Sequence, residues 1–334
     1  MCSIDDLWRT WRVATEHALY GDGGFYRRTR GPAAHFRTSV HASRLFAQAV
    51  LALARSAGLR TVVDVGAGRG ELVAALHLLD PALRLLAVEV ADRPARLPAG
   101  VAWLHEMPTG LDALVVANEW LDNVPVDVVA LTTAGPRLVE VDRRGVERPG
   151  PAPGTADRAW VARWWPLDEL GQRAEVGRPR DQAWAQVLAA LGSGVAVAVD
   201  YAHSRDSRPP QGSLAGYADG RRVAPVPDGS CDITSHVALD ACAAAGESAG
   251  ATATRLLSQR EALHALGVRG RAPDLRTSGA DPAGYLAALR DAGEAAELTY
   301  RGSLGGFSWL VQSVGRPLPP VLEPLPAQPL TGTE

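Results

Sequence analysis

Short apolar segments alternate with helix-forming segments through the middle of the chain. Thr61–Val65 is a nearly all-apolar strand, a glycine-rich turn and a helix from about Glu71 to Leu79 follow it, and Leu83–Val90 is a second such strand. Asp112–Ala117 and Val195–Tyr201 repeat the strand pattern. Continuous apolar strands separated by helices are typical of a parallel sheet that is covered on both faces. The sequence therefore predicts an α/β fold with a doubly wound, mostly parallel sheet.

The flanking segments predict smaller elements. An amphipathic helix is predicted over residues 3–19, capped by Ser3, and Thr38 or Ser39 is predicted to cap a second helix that runs to about Ala57. Further predicted elements are a β-hairpin within 126–141, a loop over 143–157, a helix over about 235–245, a helix opened by a capping box at 258–261 and a strand over 307–314. We divide the chain into an N-terminal helical cap (1–58), a main domain (59–315) with an insertion near 126–190, and a proline-rich tail (316–334) that we expect to be disordered.

Charge and cysteine content exclude several classes of protein. The chain has 34 Lys+Arg against 37 Asp+Glu, a net charge of −3, which provides no basic field for a nucleic acid. Its apolar stretches fall far short of the roughly 20 residues that cross a bilayer, and the acidic N-terminus lacks a signal-peptide core. Three cysteines without a CxxC motif suit a reducing compartment and give no zinc site. We expect a cytoplasmic protein without bound metal, nucleic-acid partner or membrane insertion.

The glycine-rich turn Asp64-Val-Gly-Ala-Gly-Arg-Gly70 lies where a strand passes into a helix. A dinucleotide site would need a G-x-G-x-x-G spacing, but position 71 is Glu, which is also awkward for a pyrophosphate. The D-x-G-x-G-x-G spacing instead matches the loop that binds S-adenosylmethionine (SAM), which carries no phosphate. Glu89 ends the next strand, where an acid can accept both ribose hydroxyls. Alternatively, the glycines merely turn the chain and Glu89 is a solvated strand end. We predict that Asp64, the glycines at 66, 68 and 70, and Glu89 bind the cofactor.

Polar residues directly follow the strand that ends near Ala117. In open α/β sheets ligands bind at the carboxyl ends of the strands, so Asn118, Glu119 and Asp122 should face the same crevice as the glycine loop. Methyl transfer needs a nucleophile that is held in line, and carboxylates would grip a guanidinium acceptor. We therefore predict a catalytic role for these three residues. The alternative is that the acids serve as helix caps.

Further segments along the chain carry a resemblance to one family. They are Gly24-Phe-Tyr26, Phe36-Arg-Thr-Ser39, Val65-Gly-Ala-Gly-Arg-Gly70, Ala117-Asn-Glu-Trp-Leu-Asp-Asn-Val-Pro125, Asp200-Tyr201, Gly212-Ser-Leu-Ala-Gly-Tyr217, Asp232-Ile-Thr-Ser-His-Val237 and Gly305-Gly-Phe307. The sequence resembles the MidA-type SAM-dependent methyltransferases, whose members include a mitochondrial complex I assembly factor that methylates protein arginine. This resemblance implies a Rossmann-like class I methyltransferase fold, SAM as cofactor and a protein arginine as acceptor. It also adds Thr38 and Ser39 to the predicted cofactor-binding residues.

Two features leave alternatives open. His35 and His41 replace two acids of the family's N-terminal motif, which allows a different acceptor. His236 is a predicted catalytic base, because histidine titrates near neutrality; alternatively, it lies on the first turn of a helix that starts near Ser235. The competing functions are a small-molecule methyltransferase, a non-catalytic SAM-binding assembly factor and, disfavoured by the glycine spacing, a nicotinamide-dependent oxidoreductase.

Overall fold

A computed structural model describes residues 8–27, 39, 43–270 and 272–323, without the side chains of 277 and 278. Predictions that fall on residues 1–7, on Thr38, on His35 and His41, and on residues 324–334 lie outside the described residues. In chain order the strands are β1 Arg9–Thr10, β2 Thr61–Val65, β3 Arg84–Val88, β4 Val101–Leu104, β5 Leu111–Asn118, β6 Asp127–Thr132, β7 Gly135–Val141, β8 Glu147–Pro149, β9 Arg173–Val176, β10 Leu191–Asp200, β11 Ala202–His203, β12 Ala215–Ala218, β13 Arg221–Val223, β14 Asp232–Thr234, β15 Val237–Ala238, β16 Ala253–Ser258 and β17 Ser308–Val314.

The α-helices alternate with these strands. They are α1 Trp11–Tyr20, α2 Arg44–Ser56, α3 Glu71–Leu79, α4 Thr155–Trp164, α5 Arg178–Ala189, α6 Leu239–Ser248, α7 Gln259–Ala265 and α8 Pro282–Thr299. Within the described part of the chain, none of these helices combines the length and the apolar character that a membrane crossing requires.

A seven-stranded sheet forms the centre of the molecule, in the order β16-β17-β10-β5-β2-β3-β4. The five strands from β10 to β4 are parallel, whereas β17 runs antiparallel to both β10 and β16. The predicted doubly wound, mostly parallel sheet is therefore confirmed. The strand over Thr61–Val65 and the helix over Glu71–Leu79 have the predicted bounds.

Helices bury both faces of this sheet, which explains why its strands are apolar throughout. Val62 of β2 packs into one core with residues of α2 and α3, including Phe46 and Leu76. The next residue, Val63, packs into the opposite core with Trp184 of α5. Because successive residues of a strand point to opposite faces, a sheet covered on both sides needs apolar residues at both.

A second sheet, in the order β1-β7-β6-β9 with β8 paired to β7, contains the predicted hairpin. Its strands come from the segment predicted as an insertion, apart from β1 at the N-terminus. Trp160 and Trp165 of the α4 segment pack against Val129, Ala174 and Val176 of this sheet. These two tryptophans therefore form a core of their own beside the main sheet.

Three predicted helix boundaries are wrong. In the folded chain these boundaries are set by contacts that are distant in sequence or by a different capping residue. Arg9 and Thr10 pair with β7 as a strand, so the first helix begins at Trp11. The helix predicted to start after Thr38 or Ser39 begins at Arg44, and its cap is the hydroxyl of Ser43, which accepts the N–H of Leu45.

The third boundary concerns the helix predicted over 235–245, which spans Leu239–Ser248. The residues before it form β14 and β15 instead. In addition, the predicted loop over 143–157 contains the short strand β8 and the start of α4. The capping box at Ser258 and Glu261 is confirmed.

A small three-stranded sheet, in the order β13-β12-β14, stands beside the carboxyl ends of β5 and β10. Its outer hairpin turns at Asp219 and Gly220, which both have positive φ, +50° and +73°. A type I′ turn requires positive φ at both central residues, and the Asp-Gly sequence is its usual signature. This turn signal was present in the sequence and could have located the hairpin.

Candidate active site

The glycine loop after β2 has the backbone that its glycines allow. Gly66, Gly68 and Gly70 all have positive φ, between +58° and +78°. A Cβ on Gly66 would lie 2.5 Å from Cδ1 of Trp120, and one on Gly70 would lie 2.6 Å from Cδ1 of Leu97. At Gly68, in contrast, the nearest atom to such a Cβ is a carboxylate oxygen of Glu71, 3.7 Å away. Gly66 and Gly70 therefore permit close packing, and Gly68 leaves open space for a ligand.

Glu89 lies against this loop. One carboxylate oxygen, Oε2, accepts the N–H of Gly68 at 2.9 Å, and the other, Oε1, accepts the N–H of Ala91 at 3.0 Å. A carboxylate oxygen can accept more than one hydrogen bond, so both retain capacity for ribose hydroxyls. The structure thus brings together the predicted cofactor-binding residues at the ends of β2 and β3.

Asp64 is buried at the base of the same loop. Burial, together with the carboxylates of Glu71 and Glu89, raises the pKa of Asp64 well above its usual range. A nearby cation would reverse this effect, because it favours the ionised carboxylate. SAM carries an ammonium and a sulfonium, so its charge and its ribose hydroxyls both fit the groups present at this loop.

Three of the residues predicted to act in catalysis lie at and after the end of β5. The Nδ2 group of Asn118 donates to Oε1 of Glu119 at 3.1 Å, while its buried Oδ1 has no hydrogen-bond partner among the described residues. Glu119 has φ +53°, a left-handed conformation that is strained for a residue other than glycine. Its N–H donates to the carbonyl oxygen of Val199, which fixes this turn to β10. The ring of Trp120 packs against Gly66. These three predicted catalytic residues therefore lie next to the predicted cofactor-binding loop, as expected.

Asp122 lies in the short 3-10 helix Leu121–Asn123 and is buried. Its Oδ2 accepts the hydroxyl of Thr234 at 2.6 Å, and its Oδ1 is buried without a hydrogen-bond partner in the described part of the chain. Burial raises the pKa of Asp122, although the hydrogen bond from Thr234 and the charge of Arg180 oppose this. Asp200 accepts the N–H groups of Leu121 and Asp122, so the carboxylate of Asp200 caps this short helix.

Two buried residues that sequence reasoning did not assign to the site hold it in place. Arg180, in the first turn of α5, is 2% exposed. Its guanidinium donates to the carbonyl oxygens of Asp122, Val124 and His236 and to the hydroxyl of Ser235, at 2.6–3.2 Å. The second residue is Asp200, at the end of β10.

The Oδ2 atom of Asp200 accepts the N–H groups of Leu121 and Asp122 at 3.0 and 3.2 Å. Burial and the charge of Asp122 raise the pKa of Asp200 well above its usual range. Only a weak pattern in the sequence indicates the role of Arg180. A cation in the first turn of a helix opposes the helix dipole, which suggests that acceptors elsewhere in the chain hold it there.

Asp232 connects the site to the N-terminal segment. Its Oδ1 accepts the hydroxyl of Tyr26 at 3.0 Å and the Nδ2 group of Asn123 at 3.1 Å. The hydroxyl of Tyr20 donates to the carbonyl oxygen of Asn123 at 3.1 Å. Burial, and then the charge of Asp122, raise the pKa of Asp232 to about 7. Through Asp232, Tyr26 of the N-terminal motif is linked to Asn123, the residue that follows Asp122.

His236 lies between β14 and β15, so the alternative that placed it on the first turn of a helix is wrong. Its ring stacks on Tyr201, with 5.7 Å between the ring centroids and an interplanar angle of 17°. His236 is exposed at the surface, but partial burial of its ring and the charge of Arg180 lower its pKa, so the imidazole is neutral near pH 7. A neutral ring at the rim can accept a proton, which keeps the predicted base role chemically open.

Ser39 is buried, and its described hydrogen bonds lead to the acceptor motif and to the core. Its N–H donates to Oε1 of Glu119 at 3.1 Å, and its hydroxyl contacts the side-chain amide of Gln259. Ser39 therefore orients Glu119, while Thr38 lies outside the described residues.

Comparisons with known proteins agree with this geometry. A family model, Methyltransf_28, described as "Putative S-adenosyl-L-methionine-dependent methyltransferase", matches residues 80–257, more than half of the chain. A crystal structure of a COG1565 superfamily member from Burkholderia thailandensis, bound to S-adenosyl-homocysteine, is 26% identical, with a TM-score of 0.77 over 92% of this chain and 88% of that one. A native crystal structure of a COG1565 protein from the same organism gives the same identity and TM-score over 93% and 89%. No curated protein matches the chain.

The fold, the loop chemistry and these matches lead to the same cofactor. The strand order and the glycine loop with its two acids are those expected for SAM, and a solved relative holds the demethylated product of SAM. The chain therefore belongs to the MidA-type family of SAM-dependent methyltransferases.

Proposed function

We propose that the protein transfers the methyl group of SAM to the guanidinium group of an arginine side chain in a protein substrate. The observation that carries this proposal is a pair of buried acceptor oxygens, Oδ1 of Asn118 and Oδ1 of Asp122, which have no hydrogen-bond partner in the described chain. A buried, unpaired acceptor costs about 1–3 kcal/mol, which a donor-rich ligand recovers. A guanidinium offers five N–H donors and no acceptor, so it matches this site.

The charges around these oxygens support a cationic acceptor. Glu119, Asp122 and Asp200 lie within one turn of the carboxyl ends of β5 and β10. The hydrogen bonds of the buried Arg180 go to backbone carbonyl oxygens and a hydroxyl, so its guanidinium acts on Asp122 and Asp200 through its charge alone. A bound guanidinium would add charge-assisted hydrogen bonds to the unpaired Oδ1 of Asp122.

The site also contains a group suited to accept the proton that the reaction releases. SAM, when bound, supplies an electrophilic methyl group on its sulfonium. A bond forms from a guanidinium nitrogen to this carbon, the carbon–sulfur bond breaks with its electron pair going to sulfur, and the nitrogen loses one proton. We assign this proton to Asp122, because burial raises its pKa and makes it a stronger base than an exposed aspartate. Asn118 and Glu119 orient the guanidinium during this step.

Methyl transfer from labelled SAM into an extract of cells that lack the protein tests this proposal. We expect the label on arginine after digestion and mass spectrometry. Glu119→Gln and Asp122→Asn should lower the rate by about a hundredfold or more while SAM binding, measured by calorimetry, is retained. Asp168→Asn, an exposed carboxylate remote from these contacts, is the matched control and should behave as the wild type.

The remaining outcomes separate the competing functions. Label in a small molecule would identify a small-molecule methyltransferase. SAM binding without any transfer would identify a non-catalytic assembly factor. Saturable binding of a nicotinamide dinucleotide but not of SAM would overturn the cofactor assignment itself.

A further inference from the structure

The hairpin β12–β13 forms part of the rim of the proposed acceptor site. In the small sheet Tyr217 pairs with Arg222 on one side and with Asp232 on the other. Residues directly opposite each other in antiparallel strands point to the same face. Arg222, Tyr217 and Asp232 therefore form a row on one face of the sheet, and this row leads from solvent to the Asp232 network of the site.

Arg222 is exposed, and none of the ion pairs found among the described residues includes it. The register places Arg222 two strand positions from Asp232, across Tyr217. After burial and the charge of Arg180, the charge of Arg222 also lowers the pKa of His236. The turn at Asp219 and Gly220 fixes the hairpin geometrically, so Arg222 is held there by the backbone.

Arg221, the neighbouring residue, is equally exposed but lies on the opposite face of the hairpin, since side chains alternate along a strand. The rim thus presents one cation toward the site and one away from it. This arrangement gives a basic rim next to an acidic centre.

We propose that Arg222 selects protein substrates in which an acidic residue lies about three residues from the target arginine. This inference rests on the proposed function. Asp232 contacts Asn123, the residue that follows Asp122, so it marks the site end of the row. From Asp232 to Arg222 the row spans two strand spacings, roughly 10 Å, and an extended peptide advances about 3.3 Å per residue. The target arginine occupies the carboxylate-rich centre, and the acid three residues away pairs with Arg222.

Synthetic peptides test this inference. Each contains a single arginine in an otherwise neutral sequence, with Glu, Gln or Lys at the third position on either side. We measure kcat/KM for methyl transfer, and peptide affinity by fluorescence anisotropy with S-adenosyl-homocysteine present. The wild type should prefer the Glu peptides over the Gln peptides by about fivefold, as expected for one exposed ion pair, and this preference should shrink at high salt.

Arg222→Glu should reverse the preference toward the Lys peptides, in affinity as well as in kcat/KM. Arg221→Glu makes the same charge change one residue away and should keep the wild-type preference. Equal effects of the two variants, or methylation of all peptides without a charge preference, would overturn the role of Arg222 and leave the proposed function intact. If wild-type protein methylates none of the peptides and labels no protein arginine in extract, the proposed function fails and this inference falls with it.

Discussion

The guanidinium of Arg180 donates a 2.6 Å hydrogen bond to the backbone carbonyl oxygen of Asp122, so a buried cation on α5 fixes the turn that carries the proposed proton acceptor. The same guanidinium contacts the carbonyl oxygen of His236. Arg180 thereby joins two loops that are more than 100 residues apart in the sequence.

Arg180→Lys should destabilise the fold, because lysine cannot reproduce the planar array of donors and several buried acceptors lose their partner. We expect the free energy of unfolding to fall by about 3 kcal/mol, measured by urea titration. Arg178→Lys, on the same helix turn, is the control: its ion pair with Asp157 is partly exposed, and the change should stay within about 1 kcal/mol. Equal losses in the two variants would show that Arg180 does not hold the turn.

The positive φ of Glu119 predicts an unusual order of stabilities. Glu119→Ala and Glu119→Gly both remove the carboxylate, but only glycine adopts φ +53° without strain. The Gly variant should be the more stable of the two by about 1 kcal/mol in chemical denaturation, and both should lose methyl transfer. A more stable Ala variant would contradict the strain at this position.

Substitutions in the glycine loop should separate folding from cofactor binding. Gly66→Ala would clash with Trp120, so we expect a marked fall in melting temperature, whereas Gly68→Ala meets no atom within 3.7 Å. Gly68→Ala should therefore fold with only backbone strain, yet lose SAM affinity in calorimetry. Gly110→Ala carries the same kind of backbone strain away from the site and should bind SAM as the wild type does. Wild-type affinity in Gly68→Ala would show that the cofactor does not approach this glycine.

The raised pKa of Asp232 makes stability depend on pH. In the folded protein Asp232 holds a proton up to a pH of about 7, whereas an unfolded chain releases it near the ordinary carboxyl pKa of about 4. Between these values only the folded state binds this proton, so its contribution to stability is lost as pH rises from about 4 to 7.

Asp232→Asn keeps an oxygen that can accept the bonds from Tyr26 and Asn123 and removes the titration. Melting temperatures between pH 5 and 8 should therefore decline less in this variant than in the wild type. Asp206→Asn, at an exposed position, should follow the wild-type curve. A steeper decline in Asp232→Asn would contradict a protonated Asp232.

The sequence predicted those parts of the fold that local patterns encode. Continuous apolar runs such as Thr61–Val65 identify strands covered on both faces, and the glycine spacing predicted a loop that Glu89 contacts in the folded chain. The edge strand β16 was missed because its side chains are only partly buried, which leaves no apolar run to recognise. Helix α8 was missed although Asp281 and Pro282 provide a start signal, because its first half is exposed and its apolar stripe is correspondingly weak.

The residues of the candidate site also differ in whether local sequence patterns could predict them. Residues that lie next to a strand end in sequence, such as Asn118 and Glu119, were accessible to prediction. Arg180 was not, because its partners come from two loops that only the folded chain brings to α5. Side chains that position others through such long-range contacts leave little trace in a single sequence.

Glu89 holds the backbone of two loops at once, through the N–H groups of Gly68 and Ala91. The glycine loop is thus ordered by the protein's own chain before any cofactor arrives. The entropy lost on ordering it belongs to the folding reaction and not to the binding reaction. We therefore expect a cofactor that binds at this loop to associate without a slow rearrangement of the loop.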